Sequence, residues 1–357
     1  MVINMKWEEN VRKVVPYVAG EQPNRPNMIK LNTNECPYPP APGVRKAAEN
    51  MESAALRLYP NSNAQPLVDE LAAYYGVKPE QVFVGVGSDD VLSMAFLTFF
   101  NSGKPILFPD VTYSFYDVWA DLYRIPYHTC ALDENWHMNP EDYKQPNGGV
   151  IFPNPNAPTG VEESQELIEE ILQANPDVVV IVDEAYVDFG GTSALPLLKK
   201  YENLLVVQTF SKSRAMAGMR IGYAIGSPLL IRYLNDVKYS FNSYTMSQAA
   251  LMLGAEAVKD DAYFKATTAK IAATRERIKK ELNELGFTFP DSKANFIFAS
   301  HKEVPAEELF RALREADIYV RHWNKPRIAN SLRITVGTDE EMDRLIAFLK
   351  NYLEKRA

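Results

Sequence analysis

The chain has 357 residues, of which 46% are hydrophobic and 24% charged, a composition typical of a globular protein with about two domains. Its 38 basic and 46 acidic residues give a net charge of −8, which argues against a nucleic-acid partner because such binding needs a basic surface. The cysteines, Cys36 and Cys130, lie too far apart for a disulfide framework or a metal-binding motif, which favours a reducing compartment.

The N-terminal sequence predicts an irregular arm over residues 1–43. It is rich in proline and asparagine and ends in NTNECPYPPAPG, a composition that buries little apolar surface. The arm lacks the apolar core of a signal peptide, and no apolar run in the chain approaches the ~18 residues that a membrane span requires. We therefore expect a cytoplasmic protein with no membrane contact.

Residues 44–238 alternate between helical and strand patterns. Apolar residues recur every three or four positions in VRKAAENMESA and PLVDELAAYYGV, and short apolar runs such as QVFVGVG, KPILFPD and DVVVIVDEAY separate the helical segments. Strands that are apolar on both faces and alternate with helices indicate a mostly parallel sheet with helices on both faces. This segment is predicted to be a large α/β domain that binds a ligand.

Residues 239–357 follow a different pattern and predict a smaller α+β domain. One long helical stretch is expected from about Thr245 to Leu285, and Gly286 follows at the position of a C-terminal cap. Strands are predicted at NFIFAS, IYVRHW and SLRITVG, and helices at PAEELFRALREA and EEMDRLIAFLKNYLEKR.

Polar residues stand at the carboxyl ends of predicted strands, where open α/β sheets bind their ligands. In VGVGSDD the strand ends in glycines, and Ser88 and Asp89 begin a helix whose free N–H groups can hold a phosphate. The buried run VIVDEAY ends in Asp183, and a buried carboxylate needs a partner because an unpaired buried charge is costly. Taken singly, the glycines are most simply a turn, and Asp183 is equally well explained as a helix cap.

The segment VVQTFSKSRAMAGMR concentrates polar groups after one strand. Thr209 and Ser211 supply hydroxyls, Lys212 an amine and Arg220 a guanidinium, which together predict an anion site with a candidate nucleophile. By itself, Lys212 could be an ordinary surface lysine. Asp183 and Lys212 together favour pyridoxal phosphate, which needs a lysine for its Schiff base, a carboxylate at its ring nitrogen and a site for its phosphate.

The chain resembles a known enzyme family. The motifs GSDD, NPNAPTG, VDEAY and TFSKSRAMAGMR have the order and spacing of the fold-type-I pyridoxal-phosphate aminotransferases, and the similarity runs from about Leu31 to Gly337. Within that family, LNTNECPYPP, RLYP and RHWNKPRIANSLRITVGT look most like the histidinol-phosphate aminotransferases. The resemblance implies the α/β aminotransferase fold of type I and pyridoxal phosphate as cofactor.

The resemblance also implies a role for each matching residue near the cofactor. Lys212 would form the Schiff base, Asp183 would pair with the ring nitrogen, and Tyr186 would bond the ring's 3-oxygen. Tyr113 would stack on the ring. The phosphate would be held by the backbone of Ser88 and Asp89 and by the side chains of Thr209, Ser211 and Arg220.

One motif departs from the family. The family typically has Asn directly before Pro-Thr-Gly, where its amide bonds the 3-oxygen, whereas this chain reads Asn156-Ala157-Pro158. Either Tyr186 then holds that oxygen by itself, or Asn156 or a water replaces the amide. A neutral hydrogen bond contributes about 0.5 to 1.5 kcal/mol, so activity should survive its loss.

Tyr59 of RLYP is the residue that the resemblance assigns to a neighbouring subunit. In this family the equivalent tyrosine reaches the cofactor phosphate of the other subunit. The resemblance therefore implies a homodimer with shared active sites.

Arginines are the residues expected to bind the substrate. Arg333 in SLRITVG stands where the family holds a carboxylate with a bidentate guanidinium. Arg321 and Tyr17 would contact the phosphate end of the substrate, and Asn34 lies where the arm would cover the site. Arg327 fits either a substrate contact or a surface ion pair. Without the resemblance, surface ion pairs would also be favoured for Arg321 and Arg333.

The expected reaction transfers an amino group from L-histidinol phosphate to 2-oxoglutarate, giving imidazole acetol phosphate and L-glutamate in histidine biosynthesis. Aromatic amino acids remain alternative donors because apolar pockets discriminate poorly between similar rings. A pyridoxal-phosphate lyase, such as a decarboxylase of a phosphorylated amino acid, would share this scaffold. A non-enzymatic regulator would need a basic helix-turn-helix at the N-terminus, where this chain has only an arm.

Overall fold

The N-terminal arm is tied to the C-terminal part of the chain. The computed structural model describes residues 6–356, so the first five residues of the predicted arm lie outside the described residues. Strand β1 (Ile29–Lys30) pairs in parallel with Ile318–Tyr319. One residue further on, the backbone oxygen of Leu31 accepts a hydrogen bond of 3.0 Å from the Thr335 N–H. Backbone hydrogen bonds therefore fix this part of the arm against the C-terminal part of the chain.

A seven-stranded sheet within the described residues forms the centre of the molecule. Its strands are β2 (Val82–Gly85), β3 (Ile106–Pro109), β4 (Tyr127–Cys130), β5 (Val150–Pro153), β6 (Val180–Asp183), β7 (Leu204–Thr209) and β8 (Gly222–Gly226). The spatial order is β2-β8-β7-β6-β5-β3-β4. Only β8 runs antiparallel to its neighbours, β2 and β7. The other six strands consequently place their carboxyl ends at one edge.

Helices cover both faces of this sheet. They are α1 (Pro42–Glu49), α2 (Gln65–Tyr75), α3 (Ser88–Phe99), α4 (Tyr116–Tyr123), α5 (Gln165–Ala174), α6 (Pro228–Phe241) and α7 (Gln248–Lys259). In β6, Ile181 packs with the layer of α3, α4 and α6, whereas Val180 and Val182 pack on the α5 side. Both faces of the strand are thus buried, as its continuous apolar run predicts.

The C-terminal part forms a smaller α+β unit. Its elements are α8 (Asp261–Glu284), β9 (Phe287–Thr288), β10 (Phe296–His301), α9 (Ala306–Glu315), β11 (Ile318–Tyr319), β12 (Arg321–His322), β13 (Leu332–Thr335) and α10 (Asp339–Glu354). An antiparallel sheet of order β12-β13-β10-β9 packs on these helices. The expected α/β architecture with a smaller α+β unit is confirmed.

Two local predictions in this part are wrong. The single helix expected from about Thr245 to Leu285 is broken between α7 and α8, because the Asp260 side chain accepts a hydrogen bond from the Tyr263 N–H and begins a new helix. The expected strand IYVRHW is divided between β11, which pairs with the arm, and β12, which pairs with β13. Gly286, with φ of +85°, does follow α8 in the left-handed conformation of a C-terminal cap.

The predicted boundaries at residues 43 and 238 stay predictions. Helix α7, which lies beyond residue 238, packs with α1 and α2 in one apolar cluster over the large sheet. No helix in residues 6–356 has the length and apolar character needed to cross a membrane.

Gly222 brings together two strand ends that carry predicted site residues. At the start of β8 it lies opposite Gly85 of β2 and also opposite Thr209 of β7. A Cβ added there would lie 2.2 Å from the backbone nitrogen of Ser88 and 2.3 Å from the carbonyl carbon of Gly87. The first turn of α3 therefore rests directly on the backbone of β8.

We expect Gly222→Ala to destabilise the protein and displace the start of α3. Overpacking of this kind costs about 1 to 3 kcal/mol, because the added carbon meets backbone atoms that have little room to move. Urea unfolding measures the loss. Gly218→Ala is the matched control, since a Cβ at Gly218 meets no atom within 4 Å, and equal stability of the two variants would contradict the argument.

Candidate active site

Two adjoining cavities lie at the carboxyl edge of the large sheet. We call the first, of about 370 Å³, the strand-end cavity; its lining includes Ser88, Asp89, Asp183, Thr209, Ser211 and Arg220. The second, of about 320 Å³, is the arm cavity; its lining includes Tyr17, Asn34, Arg321 and Arg333. Both are lined by Thr33, Tyr113, Ala157, Tyr186 and Lys212. The structure thus brings most of the predicted site residues together around two connected spaces.

Lys212 lies where the two cavities meet. Its Nζ donates to the backbone oxygen of Thr33 in the arm at 2.9 Å and lies 5.9 Å from the centre of the Tyr186 ring. Burial lowers the pKa of Lys212 to about 8, and the positive charge of Arg333 acts in the same direction. A substantial fraction of this amine is consequently neutral, and so nucleophilic, near neutral pH.

Asp183 ends β6 as a buried carboxylate without a cationic partner in the described part of the chain. One of its oxygens accepts from the Tyr116 hydroxyl at 2.9 Å, and the other accepts from the Ala185 N–H at 3.2 Å. Burial raises the pKa of Asp183 to about 6 in spite of these two hydrogen bonds. The site therefore favours a positively charged ligand group beside this carboxylate.

The start of α3 forms one wall of the strand-end cavity. Gly87 precedes the helix with φ of +89°, and no side chain caps the first turn. A Cβ at Gly87 would lie 2.5 Å from Nη2 of Arg220, so glycine lets the guanidinium approach the helix start. Free backbone N–H groups and a guanidinium at one helix N-terminus form an anion site.

Two hydroxyls extend this anion site from β7. Ser211 Oγ accepts from Thr209 Oγ1 at 3.0 Å and from Arg220 Nη1 at 3.4 Å. With its oxygen accepting twice, the Ser211 hydroxyl has its own proton available for a ligand. Arg220 also pairs with Asp89 at 3.3 Å, and the Tyr113 hydroxyl donates to the same carboxylate at 2.7 Å. Asp89 thus connects the anion site to the ring of Tyr113.

Tyr186 is held in one hydrogen-bond orientation. The Thr335 hydroxyl donates to Oδ1 of Asn34 at 3.0 Å, and Nδ2 of Asn34 donates to the Tyr186 hydroxyl oxygen at 3.0 Å. Because the Tyr186 oxygen accepts from Asn34, its own proton is free to be donated into the cavity. Asn34, with φ of +57°, therefore positions Tyr186 in addition to lining the arm cavity.

Arg321 and Arg333 line the arm cavity and form no ion pair with a carboxylate in residues 6–356. Nη2 of Arg333 donates to the Asn32 backbone oxygen at 3.0 Å, and its buried Nε has no hydrogen-bond partner. Tyr17 stacks on Phe115 with ring centres 4.1 Å apart. The two unpaired guanidinium groups make this cavity suitable for an anionic ligand.

Arg327, for which two interpretations were open, is engaged by the protein. Its Nη1 pairs with Asp110 at 2.5 Å, and its Nη2 donates to the backbone oxygens of Leu132 and Asp133. These contacts join the segment before β13 to the large sheet.

Two predicted residues lie outside both cavity linings. The amide nitrogen of Asn156 donates to the Val111 backbone oxygen at 3.0 Å and to Thr159 Oγ1 at 3.1 Å, so the structure does not support the predicted contact of Asn156 with the cofactor. Ala157 faces the cavities in its place. Tyr59 is 81% exposed and stacks on Tyr244 with ring centres 4.7 Å apart.

Sequence reasoning missed three contributors to the site. Tyr116 bonds Asp183 from the start of α4, and the Thr33 carbonyl bonds Lys212. Trp323 lines the arm cavity between the two arginines. Only Trp323 left a signal in the sequence, because it stands two residues after Arg321 in the predicted strand IYVRHW.

Comparisons with known proteins agree with one another. A family model for aminotransferase class I and II matches residues 26–349. A histidinol-phosphate aminotransferase of Lactococcus lactis subsp. cremoris is 53% identical over 352 residues, covering 99% of each chain. Histidinol-phosphate aminotransferase 1 of Hydrogenovibrio crunogenus is 50% identical over 348 residues, which cover 98% of each chain. The crystal structure of a Sinorhizobium meliloti histidinol-phosphate aminotransferase in complex with pyridoxal-5'-phosphate has a TM-score of 0.83, 24% identity and 92% coverage of both chains.

Asp183 should make stability depend on pH in the chain without cofactor. Its folded pKa of about 6 lies above its ordinary 3.8, so the native state keeps a proton that the unfolded state loses between these values. The free energy of unfolding should fall by about 3 kcal/mol as the pH rises from about 4 to about 6. Urea unfolding from pH 4 to pH 8 should show a fall that includes this contribution, and Asp183→Asn should make the fall smaller by about this amount, while buried Glu184, whose pKa is raised to about 7, continues to contribute.

Tyr116→Phe supplies the second arm of this test. It removes a hydrogen bond that lowers the pKa of Asp183, so the fall in stability should extend to higher pH. Identical pH profiles for wild type and Asp183→Asn would show that this carboxyl group does not titrate as its burial requires.

Proposed function

Since the chain belongs to the class I and II aminotransferase family, we propose that it transfers the amino group of L-histidinol phosphate to 2-oxoglutarate with pyridoxal phosphate as cofactor. The products are imidazole acetol phosphate and L-glutamate, a step of histidine biosynthesis. The observation that carries this proposal is a buried lysine between a cavity with an unpaired carboxylate and a cavity with two unpaired guanidinium groups. Sequence identity of 50 to 53% to histidinol-phosphate aminotransferases, over nearly their full length, supports the proposal.

The residues of the strand-end cavity fit pyridoxal phosphate. Asp183 has no cationic partner of its own in the described residues and would hold the protonated ring nitrogen. The free N–H groups at the start of α3 would hold the phosphate together with Thr209, Ser211 and Arg220. Tyr186, whose proton is free, would donate to the ring's 3-oxygen. The cofactor, when bound, supplies an aldehyde that condenses with amines and a ring that withdraws electrons from the substrate's Cα.

Lys212 would perform the proton transfers of the reaction. With a pKa of about 8, its amine is a stronger acid than an ordinary lysine, and its neutral form, although the minor one at pH 7, is far more populated than in an ordinary lysine. In the neutral form it can attack as a nucleophile and, once released, take the Cα proton of the substrate. Thr33 fixes the amine from the arm side, so the arm sets the direction from which Lys212 works.

The arm cavity would hold the substrate. Arg321 and Arg333 would bind the phosphate of histidinol phosphate and the carboxylates of 2-oxoglutarate, because both ligands present an anion to a guanidinium. Tyr17 would line the phosphate end. The aromatic side chains of Phe108 and Tyr127 also line this cavity and offer flat surfaces to an imidazole ring.

The same lining supports a second candidate activity. Phe108 and Tyr127 would accept a phenyl or phenol ring as readily as an imidazole. Transamination of phenylalanine and tyrosine is therefore the alternative, and kcat/KM values measured beside those for histidinol phosphate would rank the donors.

The proposal predicts formation of glutamate when the purified protein is incubated with pyridoxal phosphate, histidinol phosphate and 2-oxoglutarate. Borohydride should fix the cofactor to the protein through Lys212. Lys212→Ala should lose this covalent label. It should also reduce kcat by about 10²- to 10⁴-fold or more, because a positioned acid–base group usually contributes that much. Glutamate release is followed by a coupled assay, and the label by mass spectrometry.

Each contrary outcome has a clear meaning. Glutamate formed with aromatic amino acids and not with histidinol phosphate would replace the proposed substrate. Release of carbon dioxide without an amino acceptor would indicate a lyase. A borohydride label retained by Lys212→Ala would overturn the assignment of the nucleophile.

We further propose that the protein acts as a homodimer in a reducing compartment such as the cytoplasm. Exposed large apolar side chains in two segments, which Tyr59 and Tyr244 bring into contact, support the dimer; they are Leu56, Leu58, Tyr59, Leu229, Tyr233, Tyr239, Phe241 and Tyr244. Tyr59 would reach the partner's cofactor phosphate from this surface. Cys36 and Cys130 are both unpaired, which supports the compartment.

Phe241→Glu should convert the dimer to a monomer at micromolar concentration, because it places a charge within the proposed apolar contact. Asn351→Glu adds the same carboxylate to the exposed face of α10 and should leave the dimer intact. Analytical ultracentrifugation measures the association state of both variants.

Tyr59→Phe should stay dimeric and bind pyridoxal phosphate about 10-fold more weakly, because it loses one hydrogen bond to a charged group. Unchanged affinity for pyridoxal phosphate would remove Tyr59 from the site.

A further inference from the structure

The register of the small sheet places two like charges directly opposite each other. Strands β12 and β13 are antiparallel, and Arg321 is the cross-strand partner of Arg333. Side chains in such a pair lie on the same face of the sheet, with their Cβ atoms about 4.5 to 5.5 Å apart. Like charges in this position destabilise a sheet, so the pair needs a compensating interaction.

Carboxylates do not supply that compensation. Neither arginine forms an ion pair with an acid in residues 6–356. Of the two carboxylates that line the arm cavity, Asp110 is taken by Arg327, and Asp117 accepts from the Val118 N–H. Apart from the hydrogen bond from Nη2 of Arg333 to the Asn32 backbone oxygen, the two guanidinium groups thus keep their donors available for a ligand.

Trp323 supplies the interaction that the acids do not. It lies one residue beyond the end of β12, at the rim of the arm cavity. The guanidinium carbons of Arg321 and Arg333 lie 5.2 and 5.1 Å from the centre of its ring system. On the other side of β13, the ring centre of Phe296 in β10 lies 5.3 Å from the guanidinium carbon of Arg333. An aromatic face attracts a cation without occupying its hydrogen-bond donors.

We propose that Trp323 is a positioning residue that holds the Arg321–Arg333 pair ready for a dianionic ligand group, a phosphate monoester or a dicarboxylate. Its ring stabilises two adjacent guanidinium groups by cation–π contact, so that both forks stay directed into the arm cavity when no ligand neutralises them. A carboxylate in its place would pair with the arginines and compete with the substrate. This inference rests on the proposed function of the cavity and adds the residue that gives it its preference for double negative charge.

A purely structural role for Trp323 makes a different prediction. Its ring also packs against the apolar cluster that contains Phe298 and Ile328, and any bulky apolar side chain could fill that space. Trp323→Leu keeps apolar bulk and removes the π face, whereas Trp323→Phe keeps a π face on a smaller side chain. The two variants therefore separate packing from cation–π contact.

The test uses the cofactor-loaded protein. Trp323→Leu should raise KM for histidinol phosphate and 2-oxoglutarate about 10-fold and leave kcat within about 2-fold, whereas Trp323→Phe should stay within about 3-fold in both. Calorimetry should show a matching loss of affinity of Trp323→Leu for inorganic phosphate and for succinate, two probes that need no turnover. In an Arg321→Gln background, Trp323→Leu should cost clearly less, because one of the two cations is absent.

Several results would overturn the proposal. Unchanged affinity of Trp323→Leu for both anions would do so, as would a fall in kcat with unchanged KM, or a loss in Trp323→Phe as large as that in Trp323→Leu. Should Trp323→Leu fail to fold, Trp323→Met takes its place with the same expectation. If the wild type does not turn over histidinol phosphate, the proposed function fails, while the phosphate and succinate affinities still decide the role of Trp323.

Discussion

Two buried, oppositely charged groups that do not pair with each other organise this molecule. Asp183 ends β6, and Lys212 follows the neighbouring strand β7. Burying a charge without a counter-ion is expensive, and the chain limits the cost with hydrogen bonds from distant segments: Tyr116 of α4 to the carboxylate and Thr33 of the arm to the amine. The arm and α4 must therefore be in place before the site exists. The Asp183 carboxylate still lacks a cation, and the Lys212 amine still lacks a reaction partner. A cofactor with a protonated ring nitrogen and a carbonyl carbon would supply both.

Anion recognition is divided between two structural units. The phosphate end of the strand-end cavity is built from the α3 N-terminus, two hydroxyls and Arg220 on the large sheet, whereas Arg321 and Arg333 belong to the small sheet. The net charge of −8 repels anions at long range, and screening limits any field to about 8 to 10 Å in physiological salt. Capture of anionic ligands consequently depends on these local groups, and a ligand that bridges the two cavities favours a fixed arrangement of the two units.

The chemically distinctive residues were predictable because each stands in a short motif at a strand end. Asp183, Lys212 and Arg220 line one cavity, and strand order and motif spacing, which depend on local sequence, predict that they meet there. Tyr116 and Thr33 were missed because a tyrosine near a helix start and a backbone carbonyl carry no chemical signature before the chain folds. The break at Asp260 was missed because apolar periodicity continued across it, although the aspartate competes for a helix start through its side chain.

By itself, the sequence determined the alternation of buried strands and helices, the cofactor class implied by Asp183 and Lys212, and the small number of arginines available for substrate. Tertiary structure decided how these act. It oriented the Tyr186 proton through Asn34 and Thr335, kept the Asn156 amide away from the cavities, and set Arg321 against Arg333 with Trp323 beside them. The reason is that periodicity and motif spacing are local properties, whereas hydrogen-bond direction, pKa and the pairing of like charges depend on groups that meet only through strand register and through the packing of the arm.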